Sequence, residues 1–567
     1  MKKILFHTIN KHFPIAILIL ITALIKYKII LFGLPYSFHP DETYIYKDPL
    51  KILLLYKNFD FSQSYNLVDW LFTLWTGIIF VIGKIFNQWG NFNTFQDMLL
   101  IEDGKIILAY RILSLIASTL AITFLYKLIS KITADKLLQV LFVLTLILNP
   151  IELLSDNWIK YDAYVYLTLS FLLYYSYSYF FLEQKEKQKM LYIASILAIA
   201  VRIELVAFFV SIIILETYEL HKQQPQKLFW KKLKKIDIYL FTGIILYCLA
   251  TLWPISFIYN HFFSSENHIG VAKSFQEVIF FRLIDTFYSG KILGNIWSNS
   301  VFYCTTWLAA LGPILLATPI LAFIKIRETR YLMLFFILIL LFVVMYAYSA
   351  THYFLSLSVI IIFTNCLFIS KLKRQRTQII LSAFNVLYVS SLSIIFLYHI
   401  SFNLDPRLYS ATYLLRNTST SDLLAVETHS MNGYGPVINE CKEVLLEKSR
   451  VIKQIGSGTG ETYKLKSQNV SDTCRNILDV FSEDYFAGSD YEGYWINTYN
   501  KDNFMNRNPD YYITSYSISP TSEFYSNILE NYQLDTIFKC NISDMRLAFL
   551  MQSEFYLKPI SIYKKIN

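Results

Sequence analysis

About eleven apolar runs, each near the length of about twenty residues that a spanning helix needs, constrain the fold of this chain more than any other feature. The runs begin near residues 13, 106, 137, 161, 190, 203, 236, 303, 331, 352 and 377. Only 16% of the residues are charged, compared with about 25% in soluble domains. We therefore predict a polytopic α-helical membrane protein with about eleven transmembrane helices.

The last part of the chain has a different character. From about residue 401 the sequence becomes polar and rich in Tyr, Asn and Ser, with moderate alternation in segments such as Leu423–Val426 and Asp510–Thr514. About 165 residues of this kind are enough for one compact domain. We predict a transmembrane domain over 1–400, with outer loops at 35–67 and 259–300, and a mixed α/β domain over 401–567.

The positive charge of the chain indicates topology rather than a nucleic-acid partner. The net charge is +9, but the Lys and Arg residues lie in short clusters between the apolar runs. Such clusters are typical of cytoplasmic loops. The N-terminal Met-Lys-Lys and the apolar run after it predict a signal anchor that is retained as the first span.

The cysteines favour no metal site. The six cysteines include no CxxC pair and no Cys/His spacing of a zinc site. Cys441, Cys474 and Cys540 lie in the polar C-terminal region, where one disulfide can form, and its pairing stays open.

Two adjacent carboxylates, Asp41 and Glu42, follow the first apolar run. Ionised groups near lipid are energetically expensive and usually mark function. A carboxylate pair at the membrane boundary can act as a base, a metal ligand or the organiser of a phosphate site. The other interpretation is a solvated loop with a turn at Pro40-Asp41.

The basic clusters orient the second half of the chain. The strongest lies within residues 222–235, and others lie within 325–330 and 371–376. Because positive charge in short loops sets orientation, we expect these segments in the cytoplasm and the C-terminal domain outside.

The first half allows two arrangements. If the lysines of residues 127–136 are also cytoplasmic, residues 67–86 cannot cross the bilayer, and residues 190–220 must be two short helices broken near Arg202. In the alternative, 67–86 cross and 190–220 form one span, and Asp162 lies on the opposite face from the acidic pair. We favour the first arrangement because it keeps the three lysines inside. It places on the outer side a set of ionisable residues: Asp41, Glu42, Asp156, Lys160, Asp162, Arg202, Glu204, His261, His268 and His352.

The motifs and their order resemble the C-type (GT-C) glycosyltransferases. More narrowly, they resemble the dolichyl- or polyprenyl-phosphate-sugar-dependent protein mannosyltransferases and lipid A aminoarabinose transferases. The segments that carry the resemblance are Ser37–Tyr44 with its Pro-Asp-Glu motif, Ala109–Ser114, Lys160–Tyr164, Arg202, Thr351–Leu355, Asp405–Arg407 and Val426–Glu427. The chain departs from the family at Asp60–Asn66, which contains no proline, and at His352, where Arg or Lys is more usual.

The resemblance and the chemistry of the residues together suggest roles. Transfer from a lipid phosphate needs a base, which we assign to Asp41, oriented by Glu42. Arg202 is the candidate for the donor phosphate, because a guanidinium binds phosphate oxygens bidentately; the alternative is a local pair with Glu204. Asp162 is either a substrate or metal residue or the N-cap of a helix. The remaining candidates for substrate binding are His352, Lys160 and Tyr353. A divalent metal can bind at Glu42 and Asp162, and no other cofactor is expected.

The predicted function is an extracytoplasmic glycosyltransferase with a polyprenyl-phosphate-sugar donor and a protein, glycolipid or glycan acceptor. The resemblance implies inversion at the anomeric carbon. The predicted location is the bacterial plasma (inner) membrane, with membrane lipid and no nucleic acid as partners. Two alternatives stay open: a lipid or sugar transporter or flippase, and a non-catalytic scaffold of the same fold.

Overall fold

The computed structural model describes residues 2–32, 67–91, 95, 104–155, 161–202, 205–223, 292–345, 350–401, 405–427, 476–480, 507–514, 523–539, 542, 544–552 and 559–566. Several of the predicted features lie outside the described residues: Asp41, Glu42, Lys160, Glu204, His261, His268, Cys441, Cys474, Cys540 and most of the two outer loops.

Helices account for most of the described chain up to residue 417. They are α1 (Lys2–Ile30), α2 (Leu67–Ile85), α3 (Gly104–Ile132), α4 (Lys136–Ile147), α5 (Pro150–Ser155), α6 (Asp162–Ser176), α7 (Gln188–Val201), α8 (Val206–Gln223), α9 (Ile292–Lys325), α10 (Arg327–Val344), α11 (Leu355–Ser370), α12 (Gln375–Ser401) and α13 (Pro406–Asn417). A π-helical turn, Tyr177–Phe181, and two 3₁₀ turns, Lys185–Lys187 and Thr351–Phe354, lie between them.

The helices agree with the apolar pattern of the sequence. Every predicted run except the one near residue 236, which is outside the described residues, corresponds to one of these helices. Among the described residues, five helical segments are long and apolar enough to cross a membrane: Leu67–Ile85, Ile106–Ile132, Ile296–Ile324, Thr351–Ser370 and Gln375–Asn417. Shorter apolar helices are Lys136–Ile147, Val206–Tyr218 and Leu332–Val344.

The chain divides into two compact units. Unit 1 comprises Met1–Ile30, Asp60–Leu74 and Arg111–Leu397, and unit 2 comprises Leu31–Phe59, Trp75–Tyr110 and Tyr398–Asn567. Most of the apolar helices therefore belong to unit 1, and the C-terminal sheet belongs to unit 2.

Polar side chains in the interior of unit 1 bond helix to helix. Asn365 of α11 donates to Thr318 Oγ1 of α9 at 2.6 Å and accepts from Asn385 Nδ2 of α12 at 2.9 Å. Lys26 of α1 pairs with Glu152 of α5, and both side chains are 1% exposed. Buried polar groups are costly unless they are bonded in this way, so these contacts fix how the helices pack.

Helix α9 is interrupted at Gly312, whose φ of 80° and ψ of 175° are not helical. Pro313 follows and has no N–H to donate to the preceding turn. The hydroxyl of Tyr388, on α12, lies 3.0 Å from the carbonyl of Leu308 and 3.4 Å from that of Ala309, which would otherwise accept from the N–H at position 313. A Cβ at position 312 would lie 2.8 Å from the Tyr388 ring, so both the backbone and the close contact require glycine.

The C-terminal region forms a mixed five-stranded sheet, as predicted for an α/β domain. Its strands are β1 (Leu423–Glu427), β2 (Asn476–Val480), β3 (Tyr511–Thr514), β4 (Tyr532–Phe538) and β5 (Ile560–Lys565), in the order β2-β1-β3-β5-β4. Strand β1 pairs in parallel with β2 and β3, and β5 pairs antiparallel with β3 and β4. The segments Leu423–Val426 and Asp510–Thr514 thus coincide with β1 and β3, which are neighbours in the sheet.

Helices cover both faces of this sheet. On one face Leu414 of α13 packs with Val426 and Ile513. On the other face Ile528, in helix α14 (Glu523–Asn531), packs with Ala425 and Tyr512. Burial on both faces explains why all four residues of β3 are buried instead of alternating. A last helix, α15 (Met545–Gln552), precedes β5.

Candidate active site

The favoured topology predicts that residues 190–220 form two helices broken near Arg202, and the structure has a break there. Helix α7 ends at Val201 and α8 begins at Val206. Arg202 is extended, with φ of −155° and ψ of 125°, while its N–H still donates to the carbonyl of Ala198. The extended backbone turns the Arg202 side chain away from the axis of α7.

Arg202 pairs with Asp162 across the α6–α7 hairpin. Arg202 Nη1 lies 2.8 Å from Asp162 Oδ1, and the two side chains are 13% and 3% exposed. Asp162 is the first residue of α6, where the helix dipole favours a negative charge. The partner of Arg202 that the structure describes is therefore forty positions away in the chain, and Glu204, the local alternative, is outside the described residues.

The 3₁₀ turn before α11 supplies an aromatic surface for the same guanidinium. Arg202 lies over the ring of Tyr353, with its Cζ 4.8 Å from the ring centroid. The ring of His352 lies 4.3 Å from that of Tyr353 at an angle of 47°. A guanidinium over an aromatic face is attracted to it, so this contact helps to hold the Arg202 side chain in place.

Contacts of the neighbouring helices hold this turn in place. The Nδ2 of Asn149, next to α5, donates to Ser358 Oγ of α11 at 2.9 Å, and both residues are buried. Thr351, at the start of the turn, is fully buried. The position of His352 and Tyr353 therefore depends on packing between α5 and α11.

A carboxylate that the sequence reasoning did not select lies beside these residues. Asp69, in the first turn of α2, is 2% exposed and accepts a hydrogen bond from the Tyr161 hydroxyl at 2.9 Å. Tyr161 immediately precedes Asp162. The available signal was a single acidic residue in the apolar run 67–86, because an ionisable group in such a run marks a candidate site.

The opposite ends of the same helices carry the basic segments. Lys131, near the end of α3, donates to Ser178 Oγ at 2.7 Å and to Gln184 Oε1 at 3.4 Å. Asp135, the N-cap of α4, accepts from Gln375 Nε2 at 2.6 Å, and this bond is the largest cause that lowers the pKa of Asp135. Helix α6 has 15 residues and so separates the two ends by about 22 Å. The lysines of 127–136 thus lie at the same ends as the basic segments 185–189 and 371–376.

The described residues gather no cluster of three His, Cys, Asp or Glu side chains that could hold a metal ion. The carboxylate of Asp162, one of the two predicted metal residues, already accepts a hydrogen bond from Arg202. Glu42, the other, is outside the described residues, so metal binding stays a prediction.

The structure thus brings together four of the predicted substrate residues, namely Asp162, Arg202, His352 and Tyr353. The predicted base Asp41, its neighbour Glu42 and the predicted substrate residue Lys160 lie outside the part of the chain that is described.

Comparison with known proteins gives several similar solved structures, two of which are structures of ArnT. Neither a protein-family model nor a curated protein matches the chain. ArnT from Cupriavidus metallidurans bound to undecaprenyl phosphate matches with a TM-score of 0.44 and 10% identity, over 97% of each chain. The apo state of ArnT from the same organism matches with a TM-score of 0.36 and 10% identity, over 83% of this chain and 85% of that one. ArnT is a lipid A aminoarabinose transferase, one of the two groups that the sequence motifs resemble.

Proposed function

We propose that the chain is a membrane glycosyltransferase that moves a sugar from a polyprenyl-phosphate donor to an acceptor on the extracytoplasmic face. The observation that carries this proposal is the group formed by Asp162, Arg202 and Tyr353 at one end of the unit 1 helices. The basic segments lie at the other end, where Lys131 and Asp135 make their contacts. Basic loops are retained in the cytoplasm, so the group faces outward in this proposal.

Arg202 is suited to a phosphate that acquires charge as it leaves. Its charge is permanent, and its fork of N–H groups matches two phosphate oxygens. The contact with Tyr353 and the pair with Asp162 keep the charge in place before the donor binds. His352, on the same turn, and Lys160, two residues before Asp162, are proposed to complete the phosphate site.

The reaction in this proposal is a direct displacement. The acceptor hydroxyl attacks the anomeric carbon and a new C–O bond forms. The bond from that carbon to the phosphate oxygen breaks, and polyprenyl monophosphate leaves with the electron pair. Asp41, oriented by Glu42, takes the proton of the acceptor. A single displacement inverts the configuration of the sugar.

The acceptor is proposed to be a protein, a glycolipid or a glycan at the outer surface of a bacterial plasma membrane. The α/β domain that follows α12 is proposed to lie on that side, because the basic segment 371–376 precedes the last span. Glu42 and Asp162 are the residues proposed to hold a divalent metal, if the reaction uses one.

A transporter or flippase for a lipid-linked sugar is the second candidate, and one observation favours it. Helix α9 is broken at Gly312, and interrupted helices are frequent in transporters. A transporter moves the donor between leaflets and releases no polyprenyl monophosphate. A non-catalytic scaffold neither moves the donor nor releases polyprenyl monophosphate.

The experiment that tests the proposal measures binding of undecaprenyl phosphate to the purified protein. We expect saturable binding by the wild type, weaker binding by Arg202→Ala, and unchanged binding by Arg376→Ala, an exposed arginine at the basic end. Undecaprenol, which lacks the phosphate, should bind weakly to all three proteins. Equal binding of the phosphate and the alcohol would contradict a phosphate site.

A further inference from the structure

We propose that Asp69 is a positioning residue of the candidate site, acting through Tyr161 on the Asp162–Arg202 pair. This inference deepens the proposed function and rests on it for its functional readout. It starts from an acidic residue in an apolar helix, which neither the motifs nor the predicted roles include.

The bond between Asp69 and Tyr161 is built into the interior. Asp69 is 2% exposed, and the Tyr161 hydroxyl donates to its Oδ1 at 2.9 Å. A buried carboxylate is costly unless it is hydrogen-bonded, and a bond to a charged acceptor is stronger than one between neutral groups. Replacing Asp69 by an apolar residue would remove that cost, so its presence indicates that the bond itself has a use.

The bond fixes the first turn of α6. The Tyr161 carbonyl accepts from the N–H groups of Tyr164, at 3.0 Å, and Val165, at 2.9 Å. The ring of Tyr164 packs edge-on against Phe72 of α2, with centroids 5.6 Å apart. Helix α2 therefore contacts Tyr161, just before Asp162 in the chain, and Tyr164, two residues after it.

The first turn of α6 is connected to Arg202 by one further contact, the bond of Arg202 to Asp162. Asp162 holds Arg202 Nη1 at 2.8 Å, and Arg202 lies over Tyr353. If the first turn of α6 loosens, the carboxylate of Asp162 moves with it, and the guanidinium loses its fixed direction. Asp69 would thus set donor affinity without touching the donor.

The test compares four single variants of the full-length protein in detergent, together with the double variant Asp69→Ala/Tyr161→Phe. Asp69→Ala and Tyr161→Phe each remove the hydrogen bond, whereas Asp69→Asn keeps an acceptor oxygen at the same place. Thr73→Val is the matched control, because Thr73 is buried one turn further along α2 and bonds to the carbonyl of Asp69.

We expect Asp69→Ala and Tyr161→Phe each to weaken undecaprenyl phosphate binding about tenfold, a size typical of the coupling between a binding site and a residue that acts on it indirectly. The double variant should be no weaker than either single one, because both remove the same bond. Asp69→Asn should recover most of the affinity, and Thr73→Val should bind as the wild type does. Additive losses, or unchanged affinity in Asp69→Ala, would overturn the inference.

A second measurement separates this inference from the proposed function. Thermal unfolding of Asp69→Ala, Arg202→Ala and the double variant reports coupling between the two positions without any donor. A smaller loss for Asp69→Ala in the Arg202→Ala background supports the positioning role, and equal losses in both backgrounds contradict it. If the wild type binds no undecaprenyl phosphate, the proposed function fails, while this cycle still decides the role of Asp69.

Discussion

Substitution of Arg202 separates the stabilising role of this side chain from its proposed role in donor binding. In the structure it pairs with Asp162 and lies over Tyr353. Arg202→Ala leaves the Asp162 carboxylate buried without its partner, and breaking a buried pair in this way costs about 3–5 kcal/mol. Arg202 is 13% exposed, so some hydration is available and we expect the lower end, about 3 kcal/mol.

Arg202→Lys should behave differently. An ammonium group keeps a positive charge near Asp162, so the protein should lose only about 1 kcal/mol. It cannot offer a planar fork to a phosphate, so donor affinity should still fall about tenfold. Arg202→Lys should therefore lose little stability but much donor affinity, whereas Arg202→Ala should lose both.

The assay is thermal unfolding with and without undecaprenyl phosphate. A ligand present at 100 times its Kd stabilises the folded state by about 2.7 kcal/mol, and this gain should be full in the wild type, smaller in Arg202→Lys and absent in Arg202→Ala. Adding Asp162→Asn to Arg202→Ala should recover part of the lost stability, because it removes the unpaired charge. If both Arg202 variants gain as much from the lipid as the wild type, the phosphate site lies elsewhere. If Arg202→Ala alone is as stable as the wild type, the argument from the buried pair is wrong.

Three further predictions concern the base, the topology and the break in α9. Asp41→Asn should lower transfer by about 10²–10⁴-fold with unchanged lipid binding, and near-normal turnover of the purified variant would exclude Asp41 as the base. In a cysteine-free background, an impermeant thiol reagent added from outside should label a cysteine at Asn157 but not one at Ala134; the reverse pattern would support the arrangement in which residues 67–86 cross. Gly312→Ala should cost about 1–3 kcal/mol in thermal unfolding, because it combines a positive φ with a close contact to a ring. Gly77→Ala, where a Cβ meets nothing within 4 Å, should be neutral or stabilising; equal effects at the two glycines would contradict the reasoning.

Much of the helical framework could be predicted because its signals are local. Apolar length predicts helices, and the parity of basic loops predicts the break at Arg202, where α7 ends. Helix α13 could also be located, because Asp405 precedes Pro406 as an N-cap and accepts from the N–H of Arg407. Strand β1 coincides with the alternating segment Leu423–Val426.

The contacts that build the site could not be predicted, because they join residues far apart in the chain. Periodicity places Asp162 at a helix start, but nothing in the sequence pairs Arg202 with Asp162, forty positions away, when the acidic residue Glu204 is only two positions away. The stacking of Arg202 on Tyr353 depends on how α7 and α11 pack, which spacing does not encode. Asp69 is the single acidic residue of the apolar run 67–86, and nothing in the sequence connects it with Tyr161.

The measurement that tests the central claim most directly is the release of polyprenyl monophosphate. Purified protein in liposomes is incubated with lipid-linked sugars extracted from bacterial membranes, and the lipids are then identified by mass spectrometry. We predict release by the wild type, with the sugar recovered on an acceptor, and strongly reduced release by Asp41→Asn and Arg202→Ala. Movement of intact donor between leaflets with no release of polyprenyl monophosphate would contradict the account and favour a transporter.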